Sequence, residues 1–205
     1  MLFSSTAAQA FLLTLVGTAL AGPVDLSPRA EKVIIGYRTA SEAEAKDINK
    51  FKTIVYNSGK ATGGKQNGDG VYLSQKLGEW PRSKLTDHYC VVRADKAKVE
   101  KAAKAWIKQD VKWDEKSVQK AIKDLDKKAK PASTLRLSKI KGKSYLQMVI
   151  PKKMVGTNLK FTHTKGSLDF EAECKTEEEW NKGSKPADVD WKSGIFKKNV
   201  KGSEQ

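Results

Sequence analysis

The chain has two cysteines and two histidines among its 205 residues, and this scarcity limits what can hold a fold together. It excludes a disulfide scaffold and a zinc site with four cysteine ligands. The fold must therefore rest on an apolar core, and a single domain of this length can bury about 70% of its unfolded surface. The hydrophobic fraction of 39% is low for a globular protein but too high for a wholly disordered chain.

The N-terminal segment Met1–Ala21 has the pattern of a secretory signal peptide. It has no charged side chain, contains an apolar run, and ends in the small-x-small triplet Ala-Leu-Ala. The run is shorter than the roughly 20 residues that a transmembrane helix needs, so an uncleaved anchor is the less favoured alternative. We expect the mature chain to be a secreted, soluble monomer without a transmembrane segment.

Export also decides how the two cysteines are interpreted. Cys90 and Cys174 would meet an oxidising environment, in which a single disulfide between them is the default. The alternative is a nucleophilic Cys90 assisted by His88, since side chains two residues apart on a strand share one face.

The first half of the mature chain alternates between strand and helix patterns. Lys32–Tyr37 is a short apolar strand, and Ser41 and Glu44 then fit the capping box of a helix start. The segment Ser58–Gly70 is rich in Gly, Lys and Asn and is predicted to be an exposed loop. Two further strands are predicted, at Val71–Ser74 and Tyr89–Ala94.

The second half is predicted to hold two helices and then a run of strands. Lys96–Ile107 is expected to be helical, and a second helix starts near Asp114 or Ser117 and ends before Pro131. The strand-like segments that follow are Thr134–Ser138, Tyr145–Ile150, Leu159–His163 and Leu168–Cys174. This order favours an α+β domain over a doubly wound parallel sheet.

The chain thus divides into three parts: a signal peptide at 1–21, a folded domain at 22–175 and a C-terminal tail at 176–205. The tail is charged and rich in Gly and Ser, with isolated large side chains at Trp180, Trp191 and Phe196. We expect this basic tail to be partly disordered.

Three segments carry residues suited to ligand binding. Arg38 ends the first strand just before the capped helix, where its guanidinium can bind a phosphate or carboxylate through two parallel hydrogen bonds. Gly70 allows close approach of a ligand to the backbone, and it precedes a strand with Tyr72 and Ser74 on one face. Gln147 interrupts an apolar strand and needs partners if it is buried. Each segment alone equally fits a surface arginine, a glycine turn or an edge-strand glutamine.

Taken together and in this order, the segments resemble the mono-ADP-ribosyltransferase toxins. The resemblance is carried by YRTAS at 37–41, GDGVYLS at 68–74, HYCVVRAD at 88–95 and YLQMVIP at 145–151. It is strongest toward the heat-labile enterotoxin A-chain branch with its secreted fungal members, and it covers about Val33 to Phe161. It implies an α+β core of two packed sheets, mixed or antiparallel, with flanking helices around a cleft that binds NAD.

The resemblance also assigns roles to individual residues. Arg38 matches the first-strand arginine that contacts the phosphate and ribose of NAD, and Ser74 matches the hydroxyl that supports the site. Tyr72 matches a tyrosine that stacks on nicotinamide in one branch of the fold. Gln147 stands at the position of the catalytic glutamate, and Tyr145 at that of the other glutamate of the pair.

The two replaced glutamates leave two interpretations of the activity open. The family's catalytic carboxylate stabilises an oxocarbenium-like transition state through its charge, which Gln147 lacks. Some NAD-glycohydrolase toxins of related fold carry Gln at this position, which predicts hydrolysis of NAD by a toxin or virulence effector. Otherwise the protein is an inactive member of the fold that binds a host target. Transfer to a protein arginine is disfavoured, because Tyr145 replaces the group that activates the acceptor.

A formal net charge of +15 indicates attraction to acidic partners such as an acidic host protein, and it also fits a merely solvated surface. Nucleic acid is the less favoured partner. It belongs to a further alternative, a secreted basic ribonuclease in which His88 and His163 act as acid and base, assisted by Glu171 or Glu173. No metal cofactor is expected.

Overall fold

The computed structural model describes residues 30–54, 56, 65–156, 158–159 and 162–204. The predicted signal peptide and much of the loop predicted at 58–70 lie outside this part of the chain. Two main β-sheets, a short hairpin and four α-helices make up the described fold. The α+β class predicted from the order of the elements is therefore confirmed.

The first sheet is antiparallel and has three strands in the order β1-β3-β9: β1 (Lys32–Ala40), β3 (His88–Asp95) and β9 (Glu171–Lys175). Cys90 lies directly opposite Cys174 in the β3–β9 register, and the two form a disulfide. Both cysteines are buried. The predicted pairing is confirmed, and a free Cys90 nucleophile is excluded.

The second sheet is mixed and has five strands in the order β10-β4-β5-β6-β2. Their bounds are β2 (Gly70–Leu73), β4 (Ala103–Trp106), β5 (Thr134–Lys139), β6 (Leu146–Pro151) and β10 (Val200–Lys201). The strand β4 runs parallel to both β5 and β10, whereas β6 is antiparallel to both β5 and β2. A separate hairpin joins β7 (Asn158–Leu159) to β8 (Thr162–His163).

The helices are α1 (Glu42–Phe51), α2 (Lys96–Lys101), α3 (Glu115–Leu125) and α4 (Glu177–Asn181). Asp114 caps α3 by accepting a hydrogen bond from the backbone of Ser117, as its place before an apolar periodic stretch predicts. The buried side chains Val118 and Ile122 of α3 pack with Ala105 and Ile107 of the second sheet.

The two sheets meet where β1 passes the end of β2. The backbones of Tyr37 and Ser74 exchange two hydrogen bonds of 3.0 and 2.8 Å. A β-bulge lies between Ile34 and Gly36. A Cβ on Gly36 would lie 2.9 Å from the Cβ of Leu73, so this close approach of the two strands requires glycine.

The C-terminal residues, which were expected to form a partly disordered tail, contribute large side chains to the core. Trp180, Trp191 and Phe196 are buried in the main core. The Trp191 indole donates a 2.8 Å hydrogen bond to the carbonyl oxygen of Ile35 at the bulge. The aromatic side chains of this segment bury apolar surface in the core. Trp191 also supplies a hydrogen-bond donor to a carbonyl of the first sheet.

The helix predicted at Lys96–Ile107 is also wrong in its second half. The helix ends at Lys101, and Ala103–Trp106 forms β4. Its apolar residues fit helical spacing, but β5 and β10 on either side both offer backbone partners to this segment. Tertiary pairing therefore overrides the local periodicity.

The predicted exposed loop is buried at its C-terminal end. Gln66 and Asn67 are 4% and 0% exposed. The Gln66 amide donates to the Lys139 carbonyl and accepts from the Lys141 amide, at 2.7 and 2.9 Å. Gly and Asn are typical of loops, but here they let the chain pack against the end of β5.

Candidate functional site

A cleft of about 250 Å³ opens at the junction of the two sheets. It is bordered by the end of β1, the start of α1, the strand β2, the segment at 79–87 and the start of β6. Five residues selected from the sequence line it, although they are far apart in the chain: Arg38, Gly70, Tyr72, Ser74 and Gln147. Tyr145 lines it as well.

Arg38 is held in the cleft wall by an acidic partner. Its Nε and Nη2 atoms donate to one carboxylate oxygen of Glu44 at 3.0 and 2.8 Å. Nη1 lies 3.5 Å from the carbonyl oxygen of Tyr72. The guanidinium is thus fixed in place, and its edge formed by Nε and Nη2 is already occupied by Glu44. Further N–H donors on Nη1 and Nη2 remain for a ligand anion.

The same contact changes the predicted capping box. Ser41 caps α1 by accepting from the Glu44 amide, as predicted. The Glu44 carboxylate, which would complete the box at the Ser41 amide, binds Arg38 instead. A charged pair of hydrogen bonds with a half-buried arginine is stronger than one to a backbone amide. Glu44 is therefore a residue of the candidate site that the capping motif concealed.

Gln147 is 7% exposed, and its amide has a fixed orientation. Its Nε2 donates to the Ser138 hydroxyl at 3.1 Å, and the side-chain amide of Asn67 donates to the same oxygen at 2.8 Å. With Nε2 held by Ser138, the amide oxygen is the group that Gln147 can offer to a ligand hydroxyl. The buried glutamine thus has the partner that its place in an apolar strand requires.

Tyr72 presents a ring whose hydroxyl is tied down. The hydroxyl donates to the Gly68 carbonyl at 2.8 Å and accepts from the backbone N–H of Asn67 at 3.0 Å. Burial raises the pKa of Tyr72 well above its ordinary value, so the phenol stays protonated. The residue therefore offers the cleft a fixed aromatic surface and no charge.

Ser74 and Gly70 are constrained by packing of the strands. The Ser74 hydroxyl lies within hydrogen-bond distance of the Tyr37 and Lys76 carbonyls, at 3.3 and 3.0 Å. A Cβ on Gly70 would lie 2.3 Å from the Ile150 carbonyl oxygen. The close approach that Gly70 permits is therefore to β6. Both residues line the cleft while fixing its walls.

A partly buried ion pair holds the segment that precedes β2. Arg136 is fully buried and binds both carboxylate oxygens of Glu115 at 2.7 and 2.8 Å, and also the carbonyl of Asn67. Burial opposes ionisation of Glu115, but hydrogen bonds from Arg136 and Gln119 keep its pKa below the usual value. The turn that carries Tyr72 toward the cleft is thus rigidly supported.

Two more carboxylates line the cleft. Asp87 accepts hydrogen bonds from the backbone amides of Ser83 and Lys84 at 2.9 and 3.0 Å, so it shapes its own loop. Glu79 accepts from the Gln75 amide through Oε2 at 3.0 Å. Among the described residues, none makes a hydrogen bond to its other oxygen. Asp87 and Glu44 likewise each use only one oxygen in these contacts, but both residues are buried, whereas Glu79 is half-buried. Glu79 is therefore the lining carboxylate most available to a ligand.

Sequence reasoning selected neither Glu79 nor its neighbour Trp80, because the segment at 79–87 has no regular pattern. One usable signal was present. A tryptophan followed by Pro81 in a polar loop has no strand or helix face on which to be buried, and such an aromatic residue is often a binding residue. Trp80 is 46% exposed.

The two histidines belong to different strands, β3 and β8. Nδ1 of His88 lies 2.9 Å from the Thr86 carbonyl, and no histidine is among the described residues that line the cleft. His163 lies in β8, opposite Asn158. Of the proposed assisting acids, Glu171 pairs with Lys165 at 2.9 Å and Glu173 with Lys175 at 3.1 Å.

Within the described ranges, no group of three or more His, Cys, Asp or Glu side chains is placed to hold a metal ion. The described helices also include none that is long and apolar enough to cross a membrane.

A family model described as "Family of unknown function (DUF5910)" matches residues 65–203, which is more than half of the chain. The match includes the cleft-lining segments except β1, the start of α1 and Tyr56. No curated protein and no solved structure gives a significant match. The chain belongs to the DUF5910 family.

Proposed function

We propose that this member of the DUF5910 family is a secreted enzyme that binds NAD and cleaves the bond between nicotinamide and ribose. One observation carries the proposal: Arg38, Tyr72, Ser74 and Gln147, which the resemblance to ADP-ribosyltransferase toxins selects, all line one cleft. A chance resemblance would have no reason to bring together residues from three separate strands.

The proposed reaction is hydrolysis. The bond between ribose C1′ and the nicotinamide nitrogen breaks, and its electron pair stays on that nitrogen, which neutralises the ring. Positive charge develops on the ribose, water attacks C1′, and a proton is released. The products are nicotinamide and ADP-ribose.

The cleft offers a group for each requirement of this reaction. The Gln147 amide oxygen can accept a hydrogen bond from a ribose hydroxyl, and Arg38 can donate to a phosphate. Tyr72 provides a fixed ring for the nicotinamide. Glu79 can supply the negative charge that Gln147 lacks, since it is the least buried of the three carboxylates that line the cleft. A charge placed where positive charge develops stabilises the transition state.

Hydrolysis is favoured over transfer to a protein arginine, because Tyr145 stands in place of the second glutamate. An NAD-consuming enzyme released into a host would act as a toxin or virulence effector. The disulfide between Cys90 and Cys174 supports secretion, since such bonds persist in oxidising compartments.

The test is release of nicotinamide from NAD by the mature protein, measured by chromatography at high enzyme concentration. We expect Gln147→Ala and Glu79→Gln each to lower kcat by about 100-fold. We expect Arg38→Ala to lower kcat/KM to a similar degree. Gln109→Ala is the matched control, since this glutamine is half-buried beyond the cleft, and it should leave the rate unchanged.

Thermal unfolding of each variant separates loss of activity from loss of fold. Absence of any nicotinamide release by the folded wild type would contradict the proposal and leave the inactive binder as the better interpretation. Labelled NAD added with a host-cell lysate distinguishes the two enzymatic outcomes. We expect the label to appear as free ADP-ribose and not on protein.

A further inference from the structure

Two of the large hydrophobic side chains that the structure leaves exposed lie at the same cleft. Trp80 is 46% exposed and Tyr145 is 44% exposed, and both line it. The other exposed large hydrophobic residues, Leu85, Trp113 and Leu125, do not line it. A planar ligand group that covered two aromatic surfaces here would remove apolar area from water.

Both aromatic residues are held on ordered backbone. The carbonyl of Trp80 accepts a hydrogen bond from the Thr39 hydroxyl at the end of β1. The carbonyl of Tyr145 accepts from the Ile140 amide at 2.9 Å, within the connection between β5 and β6. One residue therefore comes from the side of the first sheet and the other from the second. Because the backbone is fixed before binding, little ordering is needed when a ligand arrives.

We propose that Trp80 and Tyr145 bind the adenine ring of the dinucleotide by stacking at the mouth of the cleft. This inference rests on the proposed function. Stacking of a base on an aromatic side chain is a common mode of recognition, because every base has a planar π surface.

The different exposure of the lining residues favours adenine over nicotinamide at the aromatic pair. A volume of about 250 Å³ is below the range of roughly 300–1,000 Å³ that encloses a whole drug-sized ligand. Gln147 and Tyr72 are the less exposed residues, so the reacting nicotinamide end belongs beside them. The adenine end is then left for the exposed aromatic pair.

The charge near the aromatic pair fits the linker between the two ends. Lys84 lines the cleft and is exposed, and its ammonium makes no ion pair with a described residue. Lys65, the other lining lysine, is bound to Asp69 at 3.0 Å. Lys84 is therefore a second cation, besides Arg38, that can pair with the pyrophosphate.

The test compares NAD with nicotinamide mononucleotide, which has the same scissile bond but lacks the adenosine half. We expect Trp80→Ala and Tyr145→Ala each to raise KM for NAD about tenfold, with kcat within about twofold of the wild-type value. Neither variant should change KM for the mononucleotide. Trp80→Phe should recover most of the affinity, because a phenyl ring can still stack.

Trp113→Ala is the matched control, since Trp113 is 48% exposed and does not line the cleft. It should change neither KM. Equal effects of Trp80→Ala on both substrates, or no effect on either, would overturn the inference while leaving NAD cleavage intact.

If the wild type cleaves neither substrate, the proposed function fails and a binding measurement still decides the inference. Calorimetry with ADP-ribose and with ribose 5-phosphate is then the comparison. Tighter binding of ADP-ribose that is lost in Trp80→Ala supports adenine stacking. Equal binding of the two compounds, or no binding of either, contradicts it.

Discussion

At the scale of single residues, Lys104 shows how backbone carbonyls can accommodate a buried charge. Its side chain is buried in β4, and Nζ donates to the carbonyls of Val99, Ala102 and Lys198 at 2.6, 3.0 and 2.9 Å. Two of these carbonyls lie at the end of α2, where backbone acceptors lack helical partners. The third belongs to the C-terminal segment, so one ammonium group joins three parts of the chain.

Lys104 should give the stability of the protein a measurable pH dependence. Burial lowers its pKa from 10.5 to about 8 in the folded state. Between these values the unfolded chain binds the proton more strongly, so the free energy of unfolding should rise with pH over this interval. In Lys104→Met this contribution is absent.

The measurement is urea unfolding of wild type and Lys104→Met from pH 7 to about pH 10. Ionisation of tyrosines affects both proteins and cancels in the difference. We expect the wild type to gain stability relative to the variant as the pH rises through about 8. Two parallel stability curves would contradict this reading of the lysine.

At the scale of elements, the disulfide ties two neighbouring strands of the first sheet at directly opposed positions. The cysteines are 84 residues apart, so the bond closes a long loop in the unfolded chain. The double variant Cys90→Ala, Cys174→Ala should lower the free energy of unfolding by about 4 kcal/mol. Urea denaturation measures the change. Reduction of the wild type should cause a similar loss, and a difference under about 1 kcal/mol would show that β3 and β9 do not depend on the bond.

Residues 187–191 of the C-terminal segment bind the backbone and side chains at the junction of the two sheets. Gln75 exchanges two hydrogen bonds with the backbone of Val189, at 2.9 and 2.8 Å, and the Tyr37 hydroxyl donates to the Ala187 carbonyl. Trp191 completes this contact at the bulge of β1 through Ile35. The walls of the cleft therefore depend on residues that lie beyond the predicted domain boundary at 175.

We expect Trp191→Phe to destabilise the protein by about 1–3 kcal/mol, because it leaves the buried carbonyl of Ile35 without a donor. The melting temperature should fall accordingly. Trp113→Phe is the control, since that side chain is exposed and its replacement should cost less than about 0.5 kcal/mol. A Trp191→Phe protein of unchanged stability would mean that Trp191 stabilises the sheet junction through apolar contact alone.

At the scale of the whole molecule, the dominant property is the net charge of +15. Many lysines are already paired, for example Lys96 with Glu31 at 2.9 Å and Lys120 with Asp124 at 2.8 Å. Exposed pairs of this kind contribute little to stability. The excess positive charge acts instead as a field that attracts anions to the surface.

This field predicts retention on immobilised heparin at low ionic strength and release as salt screens the charges. Because the charge is spread over the surface, Arg38→Ala should elute at nearly the same salt concentration as the wild type. Passage of the wild type through the column at about 0.05 M salt would contradict a long-range field. A large shift for Arg38→Ala would instead locate the attraction in the cleft.

Much of the local structure followed from the sequence. The Ser41 and Asp114 caps and the apolar face of α3 each depend on neighbours a few residues away, and all are present. The last predicted strand is also present, but β9 begins at Glu171 and not at the predicted Leu168. The disulfide followed from the presence of two cysteines in a chain expected to be exported. These features depend on residues a few positions apart or, for the disulfide, on a chain with two cysteines and therefore one possible pairing. The sequence is therefore sufficient to predict them.

The sequence by itself determined the α+β class, the helix caps and the disulfide partners, and it led to the selection of five residues that line one cleft. Only the tertiary structure decided that Ala103–Trp106 is a strand, that Glu44 binds Arg38 and that Trp191 supports the bulge. In each of these cases a polar group or backbone segment had two potential partners. The outcome depended on which partner lay nearby in the folded molecule, and separation along the chain carries no information about that distance.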